Sequence, residues 1–403
     1  MIEQSVAQLY DTFPFPPDPI LPTPPPGYNW RWSWQSAYGF CTGGWLSPIQ
    51  NPRILDAGCG SGVSTEYLAH LNPTADIVAI DISAGTLAVA QERIRQTVPK
   101  SDRTIEFQQL SLFDLEKIAG KFHLINSVGV IHHTPDPTKA LQCLADKLEA
   151  GGLLHLFVYA EIGRWEIRLM QEAIALLSKT QPSLDLKARV KLGRELFATL
   201  PETNRLVQRE KTRWSLDNQK DECFADMYLH PHEINFTIPS LFAMIDAVGL
   251  EFAGFSNPAV WTLERLLGNN PQLLAQAQSL PIREQYRLIE LLDTDIAHYE
   301  FFLYRPPLAR LDLQDRSQVL SAIPLRHPCI HGWESRQLFD MNYRVVELSA
   351  EEFNFMQKCQ GDRTVAQILA DGNTGNWHTV ESLIAKHMIL LQRVDTAHSP
   401  NPH

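Results

Sequence analysis

Cysteine is sparse and scattered. The chain has six in 403 residues, at Cys41, Cys59, Cys143, Cys223, Cys329 and Cys359, and no two form a C-x-x-C pair. Neither a zinc knuckle nor a redox dithiol is indicated, and the pattern suits a reducing cytosol. No stretch approaches the roughly 20 apolar residues of a membrane span. The first residues lack a basic segment followed by an apolar one, so no signal peptide is expected and the expected location is cytoplasmic. Basic charge is in deficit. With 35 Lys and Arg against 46 Asp and Glu, the net charge is −11, which disfavours nucleic-acid binding driven by phosphate neutralisation. One stretch runs against that balance: Lys187, Arg189, Lys191, Arg194, Arg205, Arg209, Lys211 and Arg213 read as a solvated helix face. His230 and His232 form His-x-His without a cysteine or carboxylate at ligand spacing, so no metal is expected.

What is present starts with length. At 403 residues and 44% hydrophobic content, two or three soluble domains are the fair expectation. The run Ile54-Leu55-Asp56-Ala57-Gly58-Cys59-Gly60-Ser61-Gly62 reads as an apolar strand ending in an acid, a glycine-rich loop, then a helix. Backbone without Cβ atoms lets a ligand lie against the main chain, at the strand end where open α/β sheets bind ligands. The dinucleotide fingerprint needs a third glycine where this chain has Val63. The loop therefore fits a ligand with an amino-acid end and no phosphate.

Further acids follow at strand ends. Asp76–Asp81 is a second strand, and Asp81 lies about 20 residues past the glycines, the separation of a carboxylate that accepts ribose hydroxyls. Ser83 to Arg95 reads as an amphipathic helix. Ile105-Glu106-Phe107 is a third strand, followed by Ser111-Leu112-Phe113-Asp114. Phe122 to Val130 is a fourth, continuing into Ile131-His132-His133-Thr134-Pro135-Asp136-Pro137. Leu153 to Tyr159 is a fifth.

In this order of elements, roughly residues 50 to 160 resemble the class I S-adenosylmethionine-dependent methyltransferases. The resemblance implies an α/β fold: a doubly wound, mostly parallel seven-stranded sheet with helices on both faces. It implies S-adenosyl-L-methionine as cofactor. Asp56, Gly58, Cys59, Gly60 and Gly62 would border its amino-acid end, and Asp81 with Ile82 its ribose. Leu112 and Phe113 would cover the adenine and Asp114 take its amino group. Asn126, Ser127 and Val128 would touch the methionine part, and Tyr10 would close from the N-terminal segment. Cys59 reads as a packing residue rather than a nucleophile.

The remaining chain divides by composition. Residues 1–50 carry Phe13-Pro14-Phe15-Pro16-Pro17, Pro22 to Pro26 and a dense aromatic run from Tyr28 to Trp45. Such aromatics want burial, as a strap on the sheet domain or as a cap walling the ligand cavity; the cap is favoured. The methyltransferase domain is expected over 51–260, with a helical insertion after strand five at about 161–235 acting as a substrate lid. The sheet would resume at Leu250 to Phe255. The segment Leu229-His230-Pro231 with Phe236-Thr237-Ile238-Pro239 is similar to a subgroup of these enzymes with a Phe-Pro-x-Pro N-terminus. Residues 261–319 read as a helical extension, 320–395 as a small α+β unit and 396–403 as a disordered tail. The small unit resembles PqqD-like winged-helix modules, which implies peptide binding or packing.

Methyl transfer needs a nucleophile held in line with the methyl and, for a hydroxyl or ammonium, a base. His132 and His133, just past the fourth strand, are candidates, although a turn-shaping role competes. Tyr159 joins them, with Glu161 and Arg164 at the same sheet edge and Asp226, His230 and His232 approaching from the insertion. Methylation of a small-molecule metabolite is the favoured reading. A peptide or protein acceptor recruited by the C-terminal unit is the alternative, and a non-catalytic cofactor-binding regulator comes last. Oligomeric state is not legible.

Overall fold

The computed structural model describes residues 2–99 and 103–394; the tail at 396–403 lies outside them. The chain forms two compact units. The first takes the chain up to Pro24, then Arg53–Ala69 and Asp76–Pro306; the second takes Pro25–Pro52, His70–Ala75 and the chain from Pro307 onward.

The first unit is built on a seven-stranded sheet. Its strands are β1 (Arg53–Ala57), β2 (Asp76–Asp81), β3 (Ile105–Gln109), β4 (Phe122–Val128), β5 (Leu148–Tyr159), β6 (Glu251–Phe255) and β7 (His298–Tyr304), in the order β3-β2-β1-β4-β5-β7-β6. The pairs among β1 to β5 are parallel, and β7 is antiparallel to both β5 and β6. Ile54, Leu55, Ile77, Ile80, Leu124 and Ile125 are wholly or almost wholly buried, as expected where helices cover both faces and strands read as continuous apolar runs. The order reverses at β1 and β4, so their C-terminal ends open the crevice where such sheets bind ligands.

β7 departs from expectation. It lies inside 261–319, expected to be a helical extension, and completes the sheet. Tyr299, Phe301, Phe302 and Leu303 are fully buried between neighbouring strands. The run, apolar but for Glu300, carries no period that separates strand from helix, and polar helices flank it.

The insertion is helical, with Trp165–Ser178, Leu186–Thr199 and Asp221–Tyr228 as its longer helices. The N-terminal helix Ile2–Thr12 packs into it. Leu9 and Phe13 share one apolar cluster with Ile167, Met170, Ile174, Phe224 and Tyr228.

The second unit gathers the aromatic run. Trp30, Trp34 and Trp45 are buried, Trp45 lies in one core with Phe355, Ile368 and Leu383, and Tyr28 stacks on Tyr343 at 4.5 Å. The expected N-terminal cap at 1–50 is therefore divided. Its proline-rich start belongs with the sheet unit, while its aromatics are core residues of the other. In the C-terminal part, Ser349 and Glu352 form a capping box at the start of the helix Ala350–Lys358.

Candidate active site

The glycine loop is saturated by its own chain. The amides of Gly58 and Cys59 both donate to the Ile80 carbonyl at 2.9 Å, Ser61 N donates to the Phe15 carbonyl at 2.9 Å and Gly62 N to the Cys59 carbonyl at 3.0 Å. Gly60 N donates to Asp81 Oδ2 at 3.0 Å. With these five amides engaged, the loop is not the ring of free donors that a phosphate requires, in agreement with a phosphate-free ligand. The glycines also serve packing. A Cβ on Gly58 would meet Val130 at 2.4 Å, on Gly60 the Phe15 carbonyl at 2.5 Å and on Gly62 Ala90 at 2.8 Å, and all three have positive φ. The expected open backbone is found one strand away. Gly129, at the exit of β4 with φ +76°, has nothing within 4 Å of its Cβ position.

Asp56 is buried and spoken for. Its Oδ2 accepts from Ser64 Oγ at 2.7 Å and Thr65 Oγ1 at 2.6 Å, and its Oδ1 from Asn126 Nδ2 at 2.8 Å. Burial pushes its carboxyl upward and these bonds oppose the shift. Asn126 Oδ1 in turn meets His155 Nδ1 at 2.8 Å. Asp56 and Asn126 thus tie the loop helix to β4 and β5, a positioning role where a ligand contact was expected. Ser127 differs: its Oγ is buried with no partner. Val128, the last residue of β4, is partly exposed. Cys59 is buried, and burial raises its thiol well above the ordinary range, as a packing residue requires.

Asp81 is fixed at its strand end by two backbone amides. Its second oxygen accepts from Ser83 N at 2.9 Å, so both oxygens are fixed while each keeps lone-pair capacity. Ile82 beside it is partly exposed. Leu112 is buried and Phe113 partly so. Asp114 is half-exposed and pairs with Lys117 at 3.0 Å. The N-terminal segment crosses these strand ends. Asp11 Oδ1 accepts from Ser83 Oγ at 2.6 Å and Gly85 N at 3.0 Å. Ser61 Oγ donates to the Pro16 carbonyl at 2.6 Å, and Arg93 holds the Asp18 and Pro19 carbonyls.

Past β4 the chain gathers a cluster of rings. His132 lies 4.1 Å from both His133 and Tyr159, centroid to centroid, and His133 stacks on His230 at 3.6 Å. The turn is locked from the insertion side: Ile234 N donates to the His132 carbonyl at 2.9 Å, His133 Nδ1 meets the His232 carbonyl at 3.0 Å, and His232 Nε2 meets the Thr134 carbonyl at 3.1 Å. His133 and His232 are thereby turn-shaping residues. His132 is wholly buried, yet neither ring nitrogen has a hydrogen-bond partner. Burial drives its imidazole well below the usual value, so it is neutral at physiological pH. His133 is pushed down to about 4 for the same reason.

Tyr159 leads to a cavity of about 200 Å³ lined by Phe15, Phe157, Arg164, Trp214 and Asp226, among others. Arg164 lies 3.4 Å above the Tyr159 ring and pairs with Glu233 at 3.0 Å. Tyr10 Oη donates to Asp226 Oδ1 at 2.8 Å. The structure thus brings His132, Tyr159, Arg164, Asp226 and Tyr10 into one neighbourhood. Sequence reading missed Glu233, Trp214, Phe15 and Phe157. Phe157 carries a usable signal, since residues two apart on a strand face the same side. Among the described residues, no three His, Cys, Asp or Glu side chains stand together as a metal site, and no helix is long and apolar enough to cross a membrane.

Residues 55–154 match the family described as Methyltransferase domain, so sheet order and site define a chain with a methyltransferase domain. That match supports S-adenosyl-L-methionine as the cofactor. The chain belongs to the family of the uncharacterized protein syc1184_c of Synechococcus sp., with 52% identity over 401 residues, 98% of this chain and 94% of that protein. A ubiquinone biosynthesis O-methyltransferase of Cereibacter sphaeroides is 32% identical over 107 residues, 27% of this chain and 41% of that enzyme. PKMT2 from Rickettsia typhi in complex with AdoHcy shares the fold, with a TM-score of 0.60 at 15% identity over 91% of this chain and 76% of that one.

Proposed function

We propose that the chain is an S-adenosylmethionine-dependent methyltransferase whose acceptor enters the ring-lined cavity beside β5. Asp81 would hold the ribose hydroxyls, and the Gly58–Gly62 loop and the open backbone at Gly129 would border the methionine part. When bound, the cofactor supplies an electrophilic methyl on a neutral leaving group. The protein supplies position and exclusion of water. The observation that carries the reading is His132. A buried imidazole with two unpartnered nitrogens costs stability unless a ligand satisfies it, and it stands at the end of β4 beside Tyr159. Neutral at physiological pH, it can accept a hydrogen bond from the acceptor and orient it.

The small volume of the cavity, about 200 Å³, favours a small acceptor or one small end of a larger one. The test is calorimetry with S-adenosyl-L-methionine and AdoHcy, followed by labelled methyl donor against cell extract split into small-molecule and protein fractions. Saturable cofactor binding and label in the small-molecule fraction are expected. No binding of either nucleoside refutes the enzyme reading, and label confined to protein refutes the small-acceptor reading.

A further inference from the structure

The charge inside the 200 Å³ cavity is unbalanced. Asp226 is buried, and its one hydrogen bond comes from Tyr10. Among the described residues no Lys, Arg or His forms an ion pair with it; the nearby Arg164 guanidinium is spent on Glu233 at 3.0 Å. A buried carboxylate without a counter-ion is costly. Burial accordingly lifts this carboxyl to about 6, which still leaves it mostly ionised at neutral pH. A second carboxylate, Asp217, lines the same space. Arg164, the one Lys or Arg of the lining, is the cation that Glu233 already pairs, and much of the remaining wall is aromatic: Phe15, Phe157, Tyr159 and Trp214. Aromatic faces attract cations through their quadrupoles. With Arg164 paired to Glu233, Asp226 and Asp217 leave the lining with an excess of negative charge, so a cation entering here meets two acids and aromatic faces, and an anion meets the same two acids.

We propose that this cavity receives the protonated amine end of the methyl acceptor, with Asp226 as its counter-ion and the surrounding rings as its walls. The proposal rests on the methyltransferase reading and names its acceptor class. The volume lies below the roughly 300 Å³ of ordinary small-molecule sites, so the amine and a few carbons enter while the rest of the molecule stays outside. In the transfer, the ammonium first gives a proton to the Asp226 carboxylate. The freed nitrogen lone pair forms the N–C bond as the C–S bond breaks. The pair from that bond remains on sulfur as a neutral thioether, and the methylated nitrogen carries the positive charge.

The experiment is calorimetric titration of the full chain, with and without AdoHcy, using butylamine, benzylamine, a lysine-bearing peptide and butyrate. Wild type should bind the amines and not butyrate. Asp226→Asn, which can still accept from Tyr10, should weaken amine binding at least tenfold and change AdoHcy binding less than twofold. Trp214→Leu should weaken amines severalfold with the carboxylate intact. Preference for the free amines identifies a small-molecule source and preference for the peptide a side-chain source; both uphold the proposal. Butyrate binding as well as the amines would overturn it, as would equal amine affinity in wild type and Asp226→Asn. So would a loss of AdoHcy affinity in Asp226→Asn matching the loss for amines, because Asp226 would then answer the cofactor's own cationic end. If wild type binds amines but not AdoHcy, the methyltransferase reading fails while the amine site stands.

Discussion

Tyr10 and Asp226 lie 216 residues apart and are joined by a 2.8 Å hydrogen bond from the phenol to the carboxylate. The bond links the N-terminal helix to the Asp221–Tyr228 helix of the insertion, inside the cluster that buries Leu9 and Phe13 against Phe224 and Tyr228. The two segments therefore make one cover over the strand ends. Tyr10→Phe keeps the ring and removes the donor, leaving a buried carboxylate oxygen unsatisfied. The expected loss is about 1–3 kcal/mol, seen as a lower urea midpoint at pH 7.5 with unchanged slope. An unchanged midpoint would show that the bond does not hold the cover.

Asp226 also sets a pH dependence. Burial lifts its carboxyl to about 6 from 3.8, with the Tyr10 bond and the Arg164 charge opposing and the Glu233 charge adding to the lift. Between those values the folded state holds a proton that the unfolded chain has released. Stability from this group therefore falls as pH rises from about 4 to 6, and the full penalty, of order 2–3 kcal/mol, applies above 6. Asp226→Asn removes the titration. It should raise the melting temperature at pH 7.5 and leave it nearly unchanged at pH 4. An equal shift at both pH values would count against an ionised Asp226 without an ion-pair partner.

The turn past β4 holds two histidines in different environments. His133 is stacked and bonded on the insertion side, whereas His132 has no partner on either nitrogen. His132→Asn should leave AdoHcy affinity within twofold and lower the methyl-transfer rate at least tenfold if the imidazole orients the acceptor. His133→Asn should chiefly lower stability. Reversal of these two patterns would exchange the roles of the pair.

The parts of this molecule that sequence makes legible are those written locally. The strand-loop-helix at Ile54 to Leu71 and the acid ending β2 announce themselves by spacing. Val63 in place of a third glycine excludes a dinucleotide site without any structure. Pairing over long separations is not written that way. Nothing near Asp226 in the chain points to Tyr10, and nothing near Trp45 says that it packs with Phe355 and Ile368. The aromatic run after Pro26 was favoured as a ligand cap because composition demands burial without saying where. β7 escaped for a different reason, since Tyr299 to Tyr304 is apolar but for Glu300 and both faces are covered. The acid in the glycine motif was assigned to the ligand, yet Ser64, Thr65 and Asn126 take up its oxygens.

Two glycines test which backbone is bare. At Gly60 the space for a Cβ is filled by the Phe15 carbonyl at 2.5 Å, while at Gly129 it is open, and both residues have positive φ. An alanine costs roughly 1–2 kcal/mol for that backbone conformation at either place. Gly60→Ala must also push the Phe15–Pro16 segment away and break its bond to Ser61. It should lose more stability than Gly129→Ala and lose protection of the N-terminal segment in hydrogen exchange. Gly129→Ala puts a methyl group only into the space beside the β4 exit. If the methionine part of the cofactor lies there, this variant keeps most of its stability while its affinity for S-adenosyl-L-methionine falls at least tenfold by calorimetry. Affinity equal to wild type in a folded Gly129→Ala protein would mean that the cofactor does not pass over that backbone.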